Sequence, residues 1–373
     1  MSAGTFSDRR LKTVLAGLVL ASLIACGQRV DVPAKPEAVD IGTSRIIHVA
    51  TSRARDGDGA YTYRRSRDLD FLEVTVSIPP THQPGELSFG RRKADPERDF
   101  VIAERRKLSG AAAFRSGIDR ELASLPPAQQ ELTIFVHGFN STQSETAYRA
   151  AQVAEDVAVP GLMAIYSWPS RGQPLGYVYD HDSMLFARDG LEDMLLTTAE
   201  TRAKRVLIVA HSMGALLTLE ALRQLEIADP GWTRAHIGGV VLIAPDVDVE
   251  VFRAQAERMD SLPQPFLIFV SRRDKALSLS SFLRGTPDQG RLGNLEAVDR
   301  LADLPITIID TTAYTTDASS SHMVPVTSPS LVALLREAGE VSHFFDNESS
   351  GLGLLDASEL SIFRGGTEGG EAR

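Results

Sequence analysis

The second half of the chain consists of short, uninterrupted apolar segments that alternate with segments of helical periodicity. The apolar segments are residues 132–136, 162–167, 206–210, 239–244, 266–270 and 306–310. The helical segments are residues 144–157, 183–202, 215–227, 249–259 and 330–338. Strands without polar alternation are covered on both faces, and strands that alternate with helices form parallel sheets. The pattern predicts an α/β domain with a mostly parallel central sheet and helices on both faces.

A shorter antiparallel unit is predicted at the N-terminal edge of this sheet. Residues 45–50 and 72–78 have the apolar pattern of strands, and Asp56, Gly57, Asp58 and Gly59 between them have the composition of a turn. We therefore expect this edge of the sheet to be antiparallel.

The first 25 residues have the pattern of an export signal. Basic residues precede an apolar stretch at 14–25 that is too short to cross a bilayer comfortably. Cys26 follows Leu23, Ile24 and Ala25, and this sequence resembles the bacterial lipobox, which implies cleavage before Cys26 and its lipidation. By resemblance to the sorting rule of two-membrane bacteria, Gly27 implies the outer membrane. We expect a lipid-anchored protein of the cell envelope.

Charge and cysteine content exclude two further features. The formal net charge is -10 at pH 7, whereas nucleic-acid binding depends on lysine and arginine side chains that neutralise phosphates. Nucleic acid is therefore not expected as a partner. Cys26 is the only cysteine, so a disulfide within the chain is impossible.

Ser212 lies where a predicted strand changes into a predicted helix. The strand at 206–210 precedes it and the helix at 215–227 follows. A serine on such a tight turn, called a nucleophile elbow, presents its hydroxyl above the sheet. Small residues, Ala210 and Gly214, stand two positions before and after it and relieve crowding in the turn. We predict that Ser212 is a nucleophile.

A serine hydroxyl needs a base to take its proton and an acid to orient that base. In folds with this elbow the chain order is serine, acid, histidine. Three histidines follow Ser212. His322 is predicted as the base because it lies on a loop after the last strand, whereas His236 fits a surface position and His343 a packing role.

Two places at the carboxyl edge of the sheet offer the acid. Asp274 follows the strand at 266–270 and is predicted as the acid, because the later strand is the usual site. Asp246 follows the preceding strand and is the alternative acid; its other interpretation is a turn residue held by backbone N–H groups. Asp248 fits the N-cap of the next helix.

Two backbone N–H groups are predicted to form an oxyanion hole for the negative charge that develops during acyl transfer. Met213 directly follows the nucleophile, and Phe139 lies in the loop after the strand at 132–136. His137 in that loop is interpreted as structural, because no second ligand stands at the spacing of a metal site. We therefore expect neither a metal nor a cofactor.

Five stretches resemble a bacterial α/β-hydrolase family of unknown function in the esterase and lipase superfamily. They are residues 135–140, 166–170, 210–214, 244–248 and 271–277. The resemblance extends over about residues 45–335. It implies the α/β-hydrolase fold, a Ser, Asp, His triad and hydrolase activity, and it implies little about the substrate.

We therefore expect a serine hydrolase that cleaves small-molecule carboxylic esters through an acyl-enzyme on Ser212. Acyltransferase, thioesterase and peptidase activities use the same residues and stay open. The alternative of another class is a non-catalytic binding lipoprotein of the envelope. The expected organisation is a signal peptide (1–25), the lipidated cysteine and a tether (26–43), a catalytic domain (44–340) and a partly disordered tail (341–373).

Overall fold

The computed structural model of the protein describes residues 32–90, 93–273, 292–293, 300–315, 323–333 and 361–365. Within these residues ten strands lie in one sheet. They are β1 (Thr43–Arg55), β2 (Tyr61–Ile78), β3 (Val101–Lys107), β4 (Glu131–Val136), β5 (Leu162–Ser167), β6 (Arg205–His211), β7 (Gly239–Ile243), β8 (Phe266–Val270), β9 (Thr307–Asp310) and β10 (Ser361–Arg364). Their order across the sheet is β10-β9-β8-β7-β6-β4-β5-β1-β2-β3.

The α-helices of the described residues follow the strands in alternation for most of the chain. They are α1 (Ala111–Ser124), α2 (Gln143–Asp156), α3 (Tyr177–Phe186), α4 (Arg188–Ala199), α5 (Met213–Ala228), α6 (Trp232–His236), α7 (Val249–Ala256) and α8 (Val324–Thr327). None of them combines the length and the apolarity that a membrane crossing needs.

The predicted mostly parallel sheet is confirmed, with antiparallel strands at both edges. Strands β4 to β9 pair in parallel, and β1 joins them by parallel pairing with β5. At the N-terminal edge β1 pairs antiparallel with β2, and β2 with β3, so this edge has one more strand than predicted. At the other edge β10, which comes from the predicted C-terminal tail, pairs antiparallel with β9.

Strand β4 shows why the central strands are apolar throughout. Ile134 and Val136 pack into a core on one face of the sheet, together with side chains of α1, α4, α5 and α7. Phe135 packs into a second core on the opposite face, with side chains of α2 and α8. Because both faces are covered, alternation with polar residues would bury unpaired polar groups.

Local signals place several helix ends. Thr142 and Glu145 form a capping box at the start of α2, in which each side chain accepts a hydrogen bond from the other residue's backbone N–H. Asp248 accepts hydrogen bonds from the first turn of α7, which confirms its interpretation as an N-cap. The helix predicted at 183–202 is in fact two helices, α3 and α4, which meet at Ala187.

Candidate active site

Ser212 is the single residue between the last residue of β6 and the first residue of α5. Its backbone has φ 53° and ψ -122°, a region that costs a residue with a side chain about 1–3 kcal/mol. Hydrogen bonds to the neighbouring chain hold this conformation: the Ser212 N–H donates to the Ile243 carbonyl at 3.0 Å, and the Ser212 carbonyl accepts from the Asp246 N–H at 3.3 Å. The predicted elbow geometry is therefore present.

Two glycines allow other backbone segments to approach the elbow closely. A Cβ on Gly214 would overlap the carbonyl oxygens of His137 and Val136. A Cβ on Gly138 would lie 2.8 Å from the Ser212 Cβ and 2.7 Å from His211 Nδ1. The loop after β4 therefore lies directly against the nucleophile turn.

The predicted oxyanion donors flank this contact. Met213 is the first residue of α5, and Phe139 follows Gly138 in the loop after β4. Among the described residues, neither the Met213 N–H nor the Phe139 N–H donates a hydrogen bond. The Met213 N–H lies at the start of a helix, where free N–H groups are suited to stabilise negative charge, and the Phe139 N–H lies in the adjacent loop. The oxyanion hole itself stays a prediction.

His137 is buried in the loop that carries Gly138. Its ring stacks on the Trp168 indole at 4.8 Å, and its nitrogens lie 2.8 Å from the Gly138 carbonyl and 3.1 Å from the Trp168 carbonyl. Burial and, to a smaller extent, the charge of Arg53 together lower the pKa of His137 from 6.5 to about 3, against the opposing effect of its hydrogen bonds to the two carbonyls. A neutral, fully buried imidazole agrees with the structural role expected for this residue.

Asp246 lies close to Ser212 through its backbone, as described above, and its side chain is buried. The carboxylate accepts a hydrogen bond from the Tyr177 hydroxyl at 2.6 Å. Tyr177 also packs edge-on against Phe139, with ring centroids 5.4 Å apart. The alternative acid is thus linked to the predicted oxyanion loop by a side chain of α3, a contact that its sequence position did not indicate.

The predicted acid and base lie outside the described residues. These are Asp274 and His322, and Cys26 and His343 lie outside them as well. The structure therefore brings Ser212, Phe139, Met213 and Asp246 together at the carboxyl edge of the sheet and leaves the choice of acid and base as predictions. His236 is exposed at the end of α6, as expected.

A buried arginine that the sequence analysis did not identify links the loop after β4 to β1 and to the end of β5. Arg53 of β1 is 3% exposed. Its guanidinium donates to Ser167 Oγ at 2.9 Å, to the Ser170 carbonyl at 2.9 Å and to the Ser141 carbonyl at 2.8 Å. One side chain thus joins β1, the end of β5 and the loop after β4.

Asp180 of α3 completes this network. Its carboxylate accepts hydrogen bonds from Ser170 Oγ at 2.6 Å, from the Arg171 N–H at 2.6 Å and from the Asn140 N–H at 3.2 Å. Burial raises the pKa of Asp180, while these hydrogen bonds and the charge of Arg53 oppose the rise. Because Asn140 directly follows Phe139, the network fixes the backbone that carries the predicted oxyanion N–H.

A parallel sheet covered on both faces, with a serine at a strained turn between a central strand and the next helix, defines an α/β hydrolase. The chain belongs to the family of alpha/beta hydrolases of unknown function, DUF900, whose profile matches residues 111–338. The α/β-hydrolase fold expected from the sequence is confirmed, and the protein is a hydrolase by family.

Two solved structures are also similar to this chain. One is described as a CIB-like hydrolase from Thermoplasma acidophilum, with 16% identity, a TM-score of 0.34, and coverage of 60% of this chain and 90% of that one. The other is described as a yden-like hydrolase from Pectobacterium atrosepticum, with 21% identity, a TM-score of 0.32, and coverage of 61% and 98%. No curated protein matches the chain.

Proposed function

We propose that this protein is a serine hydrolase that cleaves carboxylic esters, with Ser212 as the nucleophile, His322 as the base and Asp274 as the acid that orients the base. The observation that supports this best is the positive φ of Ser212 at the junction of β6 and α5. A strained backbone persists only where its surroundings enforce it, and such strain concentrates at functional sites. Glycine would relieve the strain at this position, but it would remove the hydroxyl.

The proposed reaction has two steps. Ser212 Oγ attacks the ester carbonyl carbon while His322 takes the hydroxyl proton, and the carbonyl oxygen becomes an oxyanion near the N–H groups of Phe139 and Met213. The C–O bond to the alcohol breaks, and His322 returns the proton to the leaving alcohol. Water then attacks the acyl-enzyme with His322 again as base, and the carboxylic acid leaves with Ser212 restored.

The partly exposed ring of Phe139 offers an apolar surface beside the proposed oxyanion hole. It packs edge-on against the buried ring of Tyr177, whose hydroxyl donates to Asp246. An acyl or alkyl group of an ester gains free energy by contact with such surfaces, whereas a charged substrate does not. This favours an uncharged ester as the substrate.

Covalent labelling tests the nucleophile. The native protein is incubated with a fluorophosphonate probe, and the adduct is located by mass spectrometry; we expect a single adduct on Ser212 and none in Ser212→Ala. Ser116→Ala, an exposed serine of α1, serves as the matched control and should label as the native protein does. Equal labelling of the Ser212→Ala variant would contradict the proposal.

We further propose that Cys26 carries a lipid anchor that holds the protein in the outer membrane. The support is the resemblance of residues 23–26 to the lipobox and the short apolar stretch before them. In a two-membrane bacterium, Cys26→Ser should abolish the acylated mature mass and release the protein from the outer-membrane fraction. Unchanged mass and fractionation would rule the anchor out.

A further inference from the structure

A second group of chemically active side chains lies in the N-terminal part of the sheet. His48 of β1 and Glu73 of β2 are directly opposite each other in the antiparallel ladder. Glu121 of α1 reaches the same place from the helix, and one ligand atom of each of the three residues lies within 4.8 Å of the others. One of these contacts joins His48 Nε2 and Glu121 Oε1 at 3.3 Å.

His48 is fully buried, with 0% of its surface exposed. Among the described residues, neither of its ring nitrogens has a hydrogen-bond partner. The 3.3 Å contact with Glu121 is an ion-pair distance whose angles are not those of a hydrogen bond. Buried polar groups of native proteins are nearly always satisfied, so an orphaned imidazole that faces two carboxylates needs an explanation.

A metal ion satisfies all three side chains at once. Zinc binds histidine nitrogen and carboxylate oxygen tetrahedrally with bonds of about 2.0–2.1 Å, which separates two ligand atoms by about 3.3 Å. The His48 to Glu121 distance has this value, and the other two pairs of ligand atoms lie within 4.8 Å. Imidazole together with two carboxylates is a donor set that suits divalent transition metals, and the fourth position is then available to water.

Neighbouring residues orient the Glu73 carboxylate and leave room beside it. The second oxygen of Glu73 pairs with Arg106, so that Oε1 is available as a ligand, in the way that outer partners orient metal ligands. Gly117 of α1 lies beside this oxygen, and a Cβ there would approach Glu73 Oε1 to 2.7 Å. The Glu121 side chain is 28% exposed, which provides an entry path from solvent.

We propose that His48, Glu73 and Glu121 form a zinc site with water as the fourth ligand. The strand registers place His48 of β1 level with Ile208 of β6, which is three strands away in the sheet. Because Ile208 precedes Ser212 by four residues, the site lies roughly 20 Å from the nucleophile. The ion would therefore take no part in ester cleavage.

The ion would link two parts of the chain. It would join α1, which lies inside the residues matched by the family, to the strands β1 and β2, which precede those residues. The pattern was missed in the sequence because its three residues are far apart along the chain.

Zinc titration tests the site. Tag-free full-length protein is stripped with a chelator and titrated with zinc chloride by calorimetry, and bound metal is counted by elemental analysis after dialysis. We expect one equivalent of zinc, a higher midpoint of thermal unfolding when zinc is added, and the visible absorption of tetrahedral Co²⁺ when cobalt replaces it. Absence of stoichiometric binding would overturn the proposal and leave the cluster as a buried ion pair.

Variants locate the binding. Glu121→Gln should weaken zinc affinity by more than about 100-fold, because loss of a ligand exceeds the cost of losing an outer partner. This variant should fold, since the side chain is partly exposed; His48→Gln is the second variant. Glu104→Gln, an exposed carboxylate of β3, is the matched control and should bind as the native protein does. Equal affinity in native and Glu121→Gln proteins would place the metal elsewhere.

Discussion

Gly138 lies so close to Ser212 that a Cβ on the glycine would come within 2.8 Å of the serine Cβ. The loop that is proposed to supply the oxyanion N–H of Phe139 is therefore in van der Waals contact with the nucleophile turn. Because the Ser212 Cβ is bonded directly to the backbone and cannot rotate away, a small displacement of either segment changes the position of the other.

Gly138→Ala should reduce ester hydrolysis strongly without unfolding the protein. The added methyl group must displace Ser212 or the loop, and a misplacement of about 1 Å at a reacting group costs about 10²-fold in rate. Steady-state kinetics on a p-nitrophenyl ester and circular dichroism measure the two effects. Gly57→Ala, where a Cβ has no neighbour within 4 Å, is the control. Native kinetics in Gly138→Ala would contradict the prediction and show that the loop moves without disturbing Ser212.

The choice of the catalytic acid is tested by a pair of isosteric substitutions. Asp274→Asn should lower kcat by about 10⁴-fold, as in other triads that lose the group orienting the histidine. Asp246→Asn should mainly lower stability, because it weakens the buried hydrogen bond from Tyr177. Kinetics and urea unfolding separate the two effects. If Asp246→Asn lost activity and Asp274→Asn kept it, the acid would follow β7.

Acid should destabilise the protein through His137. The pKa of this residue is lowered from 6.5 to about 3 by burial, so below pH 6.5 the unfolded chain binds a proton that the folded chain does not. The contribution is complete above pH 6.5 and is lost as the pH falls toward 3. From pH 6.5 to 5 the loss is about 1.6 kcal/mol.

Urea unfolding of the native protein and of His137→Gln at both pH values isolates this effect from that of the other histidines. The variant should be less stable at pH 6.5, since it loses the stacking on Trp168. Its stability should then change by about 1.6 kcal/mol less between the two pH values than that of the native protein. An identical pH dependence in both proteins would show that folding does not lower the pKa of His137.

Arg53→Lys should destabilise the protein although it keeps the charge. A lysine ammonium cannot reproduce the planar fork that contacts Ser167, Ser170 and Ser141 together. We expect the free energy of unfolding to fall by about 2–3 kcal/mol and kcat to fall, because the loop with Phe139 loosens. Arg64→Lys, at an exposed position of β2, should change neither. Equal stability of the two variants would contradict this role of Arg53.

The strands that carry the site could be predicted from the sequence because their signal is local. The strands β4 to β9, between residues 131 and 310, are unbroken apolar segments. Their alternation with helical segments along the chain is enough to place Ser212 at a strand-to-helix turn. Elements with weaker patterns were missed. Strand β3 ends in four charged residues, and α1 has Gly110 at its N-cap position, which supplies no side-chain cap, and contains Gly117.

The supporting network of the site could not be predicted, because its contacts join distant parts of the chain. Arg53 lies just after the predicted strand at 45–50 and has no local reason to be buried. Asp180 is an ordinary acidic residue of a helix until α3 brings it beside Ser170. From the sequence, Ser170 stood out only because residues 166–170 resemble a known family. In the structure its hydroxyl donates to Asp180 and accepts from the Ser141 N–H.

The position of β1 in the sheet determines what the first part of the chain does for the rest. Since β1 pairs with β5, a chain that started at residue 111 would leave β5 as a bare edge, with an apolar strand and a row of unpaired backbone groups. Such an edge is a template for aggregation. With residues 32–110 present, the outermost strand of the described sheet at this edge is instead β3, whose charged half, Glu104 to Lys107, resists pairing with a second molecule.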